Sequence, residues 1–285
     1  MKAAQVNVAV PGDAVYPAAL LDLRDPPGRL WAIGDWSMTN EPVVAIVGTR
    51  RSTPYGERVT RELATALARA GACVVSGMAL GIDGVAHRAA LDVGGRTIAV
   101  LGTGVDIAYP RAHRALYAEI AERGLLLSEL EPGAHSHGGS FPMRNRIIAA
   151  LAKVTIIVEA PFGSGALHTR GHAEEIGRTV ACVPGPIDSP TSSATNELIR
   201  DGRQCIATVE DAMSLMGLTV PVRSNPSFDS EAERRVWAEL NRGASSLDAL
   251  CTRSGLPVQE CLAAVTALEL RGAVECALTG EVRRR

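Results

Sequence analysis

The stretch Phe141-Pro142-Met143-Arg144-Asn145-Arg146 sets two guanidinium groups two residues apart at what reads as the opening of an apolar helix, Ile147 to Leu151. A strand-like run, Val154 to Val158, ends at Glu159-Ala160 and leads into the glycine loop Pro161-Phe162-Gly163-Ser164-Gly165. Free backbone N–H groups at a helix start attract anions, and guanidinium adds paired, charge-assisted donors for phosphate oxygens. Cations at that end of a helix oppose its dipole unless something negative neutralises them. Glu159 or Glu131 is the internal candidate. A bound phosphate is the reading favoured here. The residues alone leave open whether it belongs to a nucleotide substrate, a cofactor or a nucleic-acid strand.

Other residues of chemical interest are weaker. His135 and His137 share a glycine-rich loop without a third ligand at metal-site spacing, and His168 and His172 lack the acid of a zinc-protease helix. Asp83 reads as a helix cap, with orientation of an arginine as the alternative, and His87 as a local hydrogen-bonding partner. The six cysteines (Cys73, Cys182, Cys205, Cys251, Cys261, Cys276) are scattered and form no C-x-x-C pair, so buried, reduced thiols are expected rather than a metal or redox site. No metal and no cofactor are expected.

The elements that must position these groups alternate. Val43–Val47 reads as a strand, Tyr55–Ala70 as an amphipathic helix, Ala72–Ser76 as the next strand, and Ala86–Leu91 as part of a second helix. Thr97–Leu101, Leu125–Leu127, Val154–Val158 and Thr179–Val183 continue as strands. Buried β-branched runs separated by helices predict a mainly parallel sheet covered on both faces, a Rossmann-like doubly wound α/β fold. Ligands sit beyond the carboxyl ends of such strands. The loops predicted there are Gly48-Thr49-Arg50-Arg51, Ser76-Gly77 through Gly81, Gly102-Thr103-Gly104, Ser128-Glu129 and Gly163-Ser164-Gly165. Gly48-Thr49-Arg50 is neither a dinucleotide fingerprint nor a P-loop.

The expected organisation is a large domain over residues 1–217, a Pro/Ser-rich linker over 218–229 and a small domain over 230–285. In the last, helices over Glu231–Leu240, Leu247–Arg253 and Pro257–Arg271 precede a two-stranded wing turning at Thr279-Gly280, which describes a winged helix. Its third helix carries Gln259, Glu260 and Glu269 and no basic residue before Arg271, a poor surface for DNA phosphates despite Arg283-Arg284-Arg285. A formal net charge of −2 excludes a uniformly basic nucleic-acid coat but not a local basic cleft. At 4% aromatic residues, base stacking must rest on few rings. No apolar run approaches the length of a membrane span, and a cytoplasmic location is expected.

In order along the chain, Tyr16-Pro17, Val44-Ala45-Ile46-Val47-Gly48-Thr49-Arg50, Val75-Ser76-Gly77-Met78-Ala79-Leu80-Gly81-Ile82-Asp83, Ala86-His87, Gly102-Thr103-Gly104-Val105-Asp106, Tyr109-Pro110, Leu127-Ser128-Glu129, Phe141–Arg146, Ser164-Gly165-Ala166-Leu167 and Val183-Pro184-Gly185 resemble the DprA/Smf family of DNA-processing proteins. The resemblance spans nearly the whole chain, including the winged helix. It implies a homodimer that binds single-stranded DNA, protects incoming DNA during natural transformation and loads the RecA recombinase. By the same resemblance Gly48, Thr49, Arg50, Ser76, Gly77, Arg144, Asn145, Arg146, Lys153, Ser164 and Gly165 hold phosphates, and Phe141 stacks on a base. No catalytic role is implied. Two departures stand out: Arg170 lies where the family usually has alanine, adding a phosphate contact or filling the pocket, and the usual glycine near Ala194 is altered.

Two other functions fit the same fold: a nucleoside-monophosphate phosphoribohydrolase or a nucleotide-sensing module. Laid on the hydrolase loop, Pro161 through Thr169 puts threonine where that chemistry needs a carboxylate to stabilise an oxocarbenium-like centre or activate water. Thr169 cannot do so, and Glu174 and Glu175 lie more than a turn away.

Overall fold

The computed structural model describes residues 5–219, 227–240, 243, 245–277 and 280–284. Most of the expected linker, Thr279 of the expected turn and Arg285 lie outside the described residues. The chain divides into two units, Met1–Pro221 and Val222–Arg285.

In the first unit, strands β1 (Asn7–Ala9), β2 (Leu30–Gly34), β3 (Val43–Val47), β4 (Cys73–Ser76), β5 (Thr97–Val100), β6 (Leu125–Ser128), β7 (Val154–Ile157), β8 (Thr179–Cys182) and β9 (Gln204–Cys205) form one sheet, ordered β1-β2-β6-β5-β4-β3-β7-β8-β9. From β6 to β9 every pairing is parallel, while β1 and β2 run antiparallel at one edge. The chain builds outward from β3 to β6, then returns to the other side of β3 to lay down β7. The strand order therefore reverses between β3 and β7, and a crevice opens beyond the carboxyl ends at such a point. The central strands are buried along their whole length, as expected of strands covered on both faces.

Helices α1 (Pro54–Arg69), α2 (Ile82–Asp92), α3 (Arg114–Arg123), α4 (Ser140–Leu151), α5 (Ala166–Glu175), α6 (Ser193–Arg200) and α7 (Val209–Met216) cover the sheet. One core joins the sheet to α1, α2 and α7 through Leu63, Leu67, Ile82 and Met213; another joins it to α4, α5 and α6 through Ile147, Ile148, Ala173 and Leu198. Helix α1 begins cleanly: the Thr53 side chain accepts the Gly56 N–H, and Pro54 occupies the first turn, where its missing donor costs nothing. The helix expected to open at the arginines instead begins at Ser140, after Gly138-Gly139, with Pro142 in its first turn. Phe141 through Arg146 lie inside it. Arg144 and Arg146 therefore do not share the free N–H groups of a helix start.

The second unit has α8 (Glu231–Glu239), α9 (Leu247–Ser254) and α10 (Val258–Leu270) around Val236, Leu250, Val265 and Leu268. Its sheet has three strands rather than the expected two: β10 (Ser245–Ser246), β11 (Val274–Cys276) and β12 (Glu281–Arg284), with β12 in the middle. Two-residue β10 carries too little pattern to be read from sequence.

Candidate nucleic-acid interface

Above the carboxyl ends of β3, β4 and β5 lies a cleft of about 70 Å³, whose walls include Arg50, Leu80, Tyr109, Phe141 and Arg144. About 10–15 Å³ of such space admits one water, so the cleft has room for several waters or a small group of similar bulk. Its walls are apolar and aromatic, and no acidic side chain lines it. The Phe141 ring lies so close over Gly102 that an added Cβ there would sit 2.7 Å from it. Tyr109 stands 5.4 Å from Phe141, centroid to centroid, and the exposed Arg50 guanidinium lies 5.4 Å over the Phe141 ring. Arg50 joins no ion pair among the described residues.

Arg144 reaches the cleft from below. It is 6% exposed; its Nη1 donates to the Gly77 carbonyl at 2.7 Å and to the Val100 carbonyl, and its Nε donates to Asn145 at 3.2 Å. A Cβ on Gly77 would fall 2.5 Å from Arg144 Nη2, so only glycine admits the guanidinium. Burial lowers the Arg144 pKa to about 10, against support from Asp83 and with further repulsion from Arg50. It remains a cation at neutral pH. Burial likewise raises the Asp83 pKa, opposed by Arg144 and by N–H bonds from Ala79 and Gly77. Asp83 does not cap α2, whose cap position is Gly81; its carboxylate accepts the Gly77 N–H at 3.1 Å and the Ala79 N–H at 3.4 Å.

Met78 forms the back of the cleft with φ at 58°, a left-handed conformation that costs a non-glycine residue of the order of 1 kcal/mol. Two histidines hold it there. Met78 N–H donates to His87 Nε2 at 3.4 Å, and His113 Nδ1 lies 3.0 Å from the Met78 carbonyl. His87 Nδ1 is 2.7 Å from Thr97 Oγ1, whose own proton goes to the Val74 carbonyl. Thr97 must then accept from Nδ1–H, leaving Nε2 as an acceptor: His87 is neutral. Burial, with repulsion from His113 and Arg144, holds its pKa down to about 3.

The structure separates the residues named from sequence. Arg50, Phe141 and Arg144 meet at the cleft. Asn145 ties α4 to the glycine loop by donating to the Gly165 carbonyl at 3.1 Å, so Ser164 and the exposed Gly165 form the neighbouring rim. Arg146 is turned away, its Nη2 held by both oxygens of Glu129 at 2.6 and 2.8 Å; the neutralising acid is Glu129, neither Glu159 nor Glu131. Ser76 is fully buried and spends its hydroxyl on the Ile46 carbonyl, and the Gly77 N–H is already engaged by Asp83. Thr49 donates its N–H to the Glu159 carbonyl, while Ile82 fills the space a side chain would need at Gly48. Thr49 Oγ1 accepts the Arg51 N–H at 3.2 Å, and these loop residues shape the crevice. Lys153 precedes β7 and so lies at the opposite, amino end of the strands, where its Nζ donates to the Met216 carbonyl. Arg170 faces Glu174 at 3.6 Å, away from the cleft.

Sequence reasoning passed over two contributors. Tyr109, 44% exposed, is the second ring of the cleft, and Leu80, also 44% exposed, forms part of its lip. The Tyr109-Pro110 pair could have signalled this, since an aromatic residue before proline in a strand-end loop is held extended.

Residues 7–217 match the family described as DNA recombination-mediator protein A, and residues 221–277 match the DprA winged helix domain. The chain belongs to the DprA/Smf family. A DprA protein of Mycobacterium tuberculosis is 41% identical over 257 residues, 87% of this chain, and the chain spans 66% of that relative's length. Protein Smf of Escherichia coli is 37% identical over 97% of this chain and 77% of its own. Among solved structures, DprA from Streptococcus pneumoniae superposes with a TM-score of 0.71 at 37% identity, covering 74% of each chain. DNA processing protein A from Helicobacter pylori, a structure described for its single-stranded DNA binding mode, gives 0.69 at 35% identity over 75% of this chain and 98% of that one. The Rossmann-like DprA fold with a winged helix is thus established for this chain, as sequence had implied. No described helix is long and apolar enough to cross a membrane.

Proposed function

We propose that this DprA/Smf chain binds single-stranded DNA at the carboxyl edge of its sheet, seating one base against the paired rings of Tyr109 and Phe141 and a phosphate against Arg50 and Arg144. The observation that carries this reading is the composition of the cleft: apolar and aromatic walls, two guanidinium groups, and no carboxylate lining it. Aromatic stacking accepts any base and is worth roughly 1–3 kcal/mol per base, while the cations read only backbone charge. The single-stranded DNA binding described for the Helicobacter pylori relative supports the same assignment.

The reading involves no bond made or broken. Thr169, at the position where a hydrolase would need an acid, is 1% exposed, and Glu174 is engaged by Arg203 at 2.9 Å. Loading of RecA, protection of DNA in natural transformation and homodimerisation rest on family membership and belong to the proposal. The test is fluorescence anisotropy of labelled oligothymidylate, with release of free base from AMP assayed in parallel. Binding without base release supports the proposal; turnover of AMP overturns it.

A further inference from the structure

Beside the base cleft lies a second, larger and more open hollow of about 600 Å³ between α1, α2 and the start of α3. Its walls include Arg50, Arg51, Arg61, Arg88 and His113. Arg50 lines both cavities, so the two meet at one guanidinium. The charge balance in the hollow is uneven. Arg88 is neutralised by Glu119 at 2.5 Å and faces Asp92 at 3.9 Å. Glu57, the one acid in the wall, accepts the Ser52 hydroxyl at 2.8 Å. Arg51 and Arg61 are exposed, and their guanidinium groups have neither an ion pair nor a hydrogen-bond partner among the described residues. Three unpaired cations thus face one acid in a chain whose overall charge is −2.

We infer that this hollow is a backbone track: the strand whose base occupies the cleft continues past Arg50, and its next phosphates lie against Arg51 and Arg61. The inference rests on the proposed cleft reading and deepens it by giving the strand a direction. A cleft of about 70 Å³ is too small for more than one nucleotide, and among the described residues the wall that both cavities share is Arg50. Beyond it the lining changes from aromatic to basic, as suits a solvated sugar-phosphate chain whose bases face water. Such contacts are independent of sequence, and each should add about 0.7 to the salt slope for a single strand.

The experiment compares the intact chain with Arg51→Ala/Arg61→Ala, Arg51→Lys/Arg61→Lys and Arg50→Ala on a two-nucleotide and a fifteen-nucleotide oligothymidylate across a salt series. The alanine pair should weaken the fifteen-mer about tenfold at low salt and reduce its log–log slope by about 1.4. It should leave the dinucleotide, whose single phosphate reaches no further than Arg50, within twofold, and the lysine pair should restore most of the loss. Arg50→Ala should weaken both lengths. Equal loss on both lengths with the alanine pair, or no loss on either, overturns the track. If Arg50→Ala changes neither length while the alanine pair acts on the longer one, the cleft reading fails and the basic hollow stands alone.

Discussion

Arg144 and Arg146 are two residues apart in sequence yet have opposite fates, and the difference is their direction from α4. Arg144 points under Gly77 toward the cleft, whereas Arg146 points at Glu129. Sequence can mark both as cations beside a glycine loop; it cannot say which has an acid waiting. The consequences differ measurably. Arg146→Ala should leave Glu129 without its partner in a site where the two side chains are 11% and 23% exposed. It should cost roughly 1–3 kcal/mol of stability by denaturant titration and leave the affinity of the folded protein for single strands unchanged. Arg50→Ala should lose about 1.5–3 kcal/mol of binding, as expected for a charge-assisted contact, with no loss of stability. Phe141→Ala and Tyr109→Ala should weaken binding by roughly 1–3 kcal/mol without altering the salt slope, because stacking releases no counterions. Equal salt slopes for Arg50→Ala and the wild type would contradict this division of labour.

At the level of elements, the central strands were legible because β-branched runs buried on both faces leave no polar alternation to misread. Val43–Val47 needed no correction, and the other central strands shifted by a residue or so at their ends. The edge strands β1 and β2 and the helix start at Ser140 were not legible. Edge pairing depends on a partner strand distant in sequence, and Pro142 inside a first turn looks much like a break before a helix. The Met78 loop was hidden too, since its left-handed residue is held by His87 and His113 from separate elements. That clamp has a pH signature. His87 takes a proton near pH 6.5 when unfolded but only near pH 3 when folded. Between those values the unfolded state binds more protons, so this contribution is complete above about pH 6.5 and is lost as pH falls. Asp83, with a raised folded pKa, acts in the opposite sense, so the His87 contribution is isolated by comparison with His87→Gln. Relative to that variant, the wild type should lose up to about 1.4 kcal/mol per pH unit from pH 6.5 downward. Parallel denaturation curves from pH 7 to pH 4.5 would contradict the neutral, clamping histidine.

For the whole molecule, a net charge of −2 excludes a uniformly basic coat, and sparse aromatics leave few rings for base stacking. The basic surface is local: cations gather at one sheet edge, while α10 of the winged helix presents Gln259, Glu260 and Glu269 with the exposed apolar residues Val258 and Leu262. Glu260→Ala/Glu269→Ala should therefore leave single-strand affinity within about twofold at physiological salt, because the residues that line the cleft and its hollow all belong to the first unit and exposed charges are screened by salt. Order of motifs along the chain made the family legible, since each lies at a strand end that the fold gathers. What the motifs could not show is that the Ser76 hydroxyl and the Gly77 N–H are engaged within the fold, while Arg50, Phe141 and Arg144 meet at one cleft. The most direct test is a salt titration of anisotropy for labelled single-stranded and duplex DNA of equal length, with wild-type and Arg50→Ala protein. The account predicts tighter binding to the single strand, a log–log slope near −3 for about four phosphate contacts, and a marked loss on Arg50→Ala. A slope near zero, or equal affinity for duplex with no effect of Arg50→Ala, would contradict it.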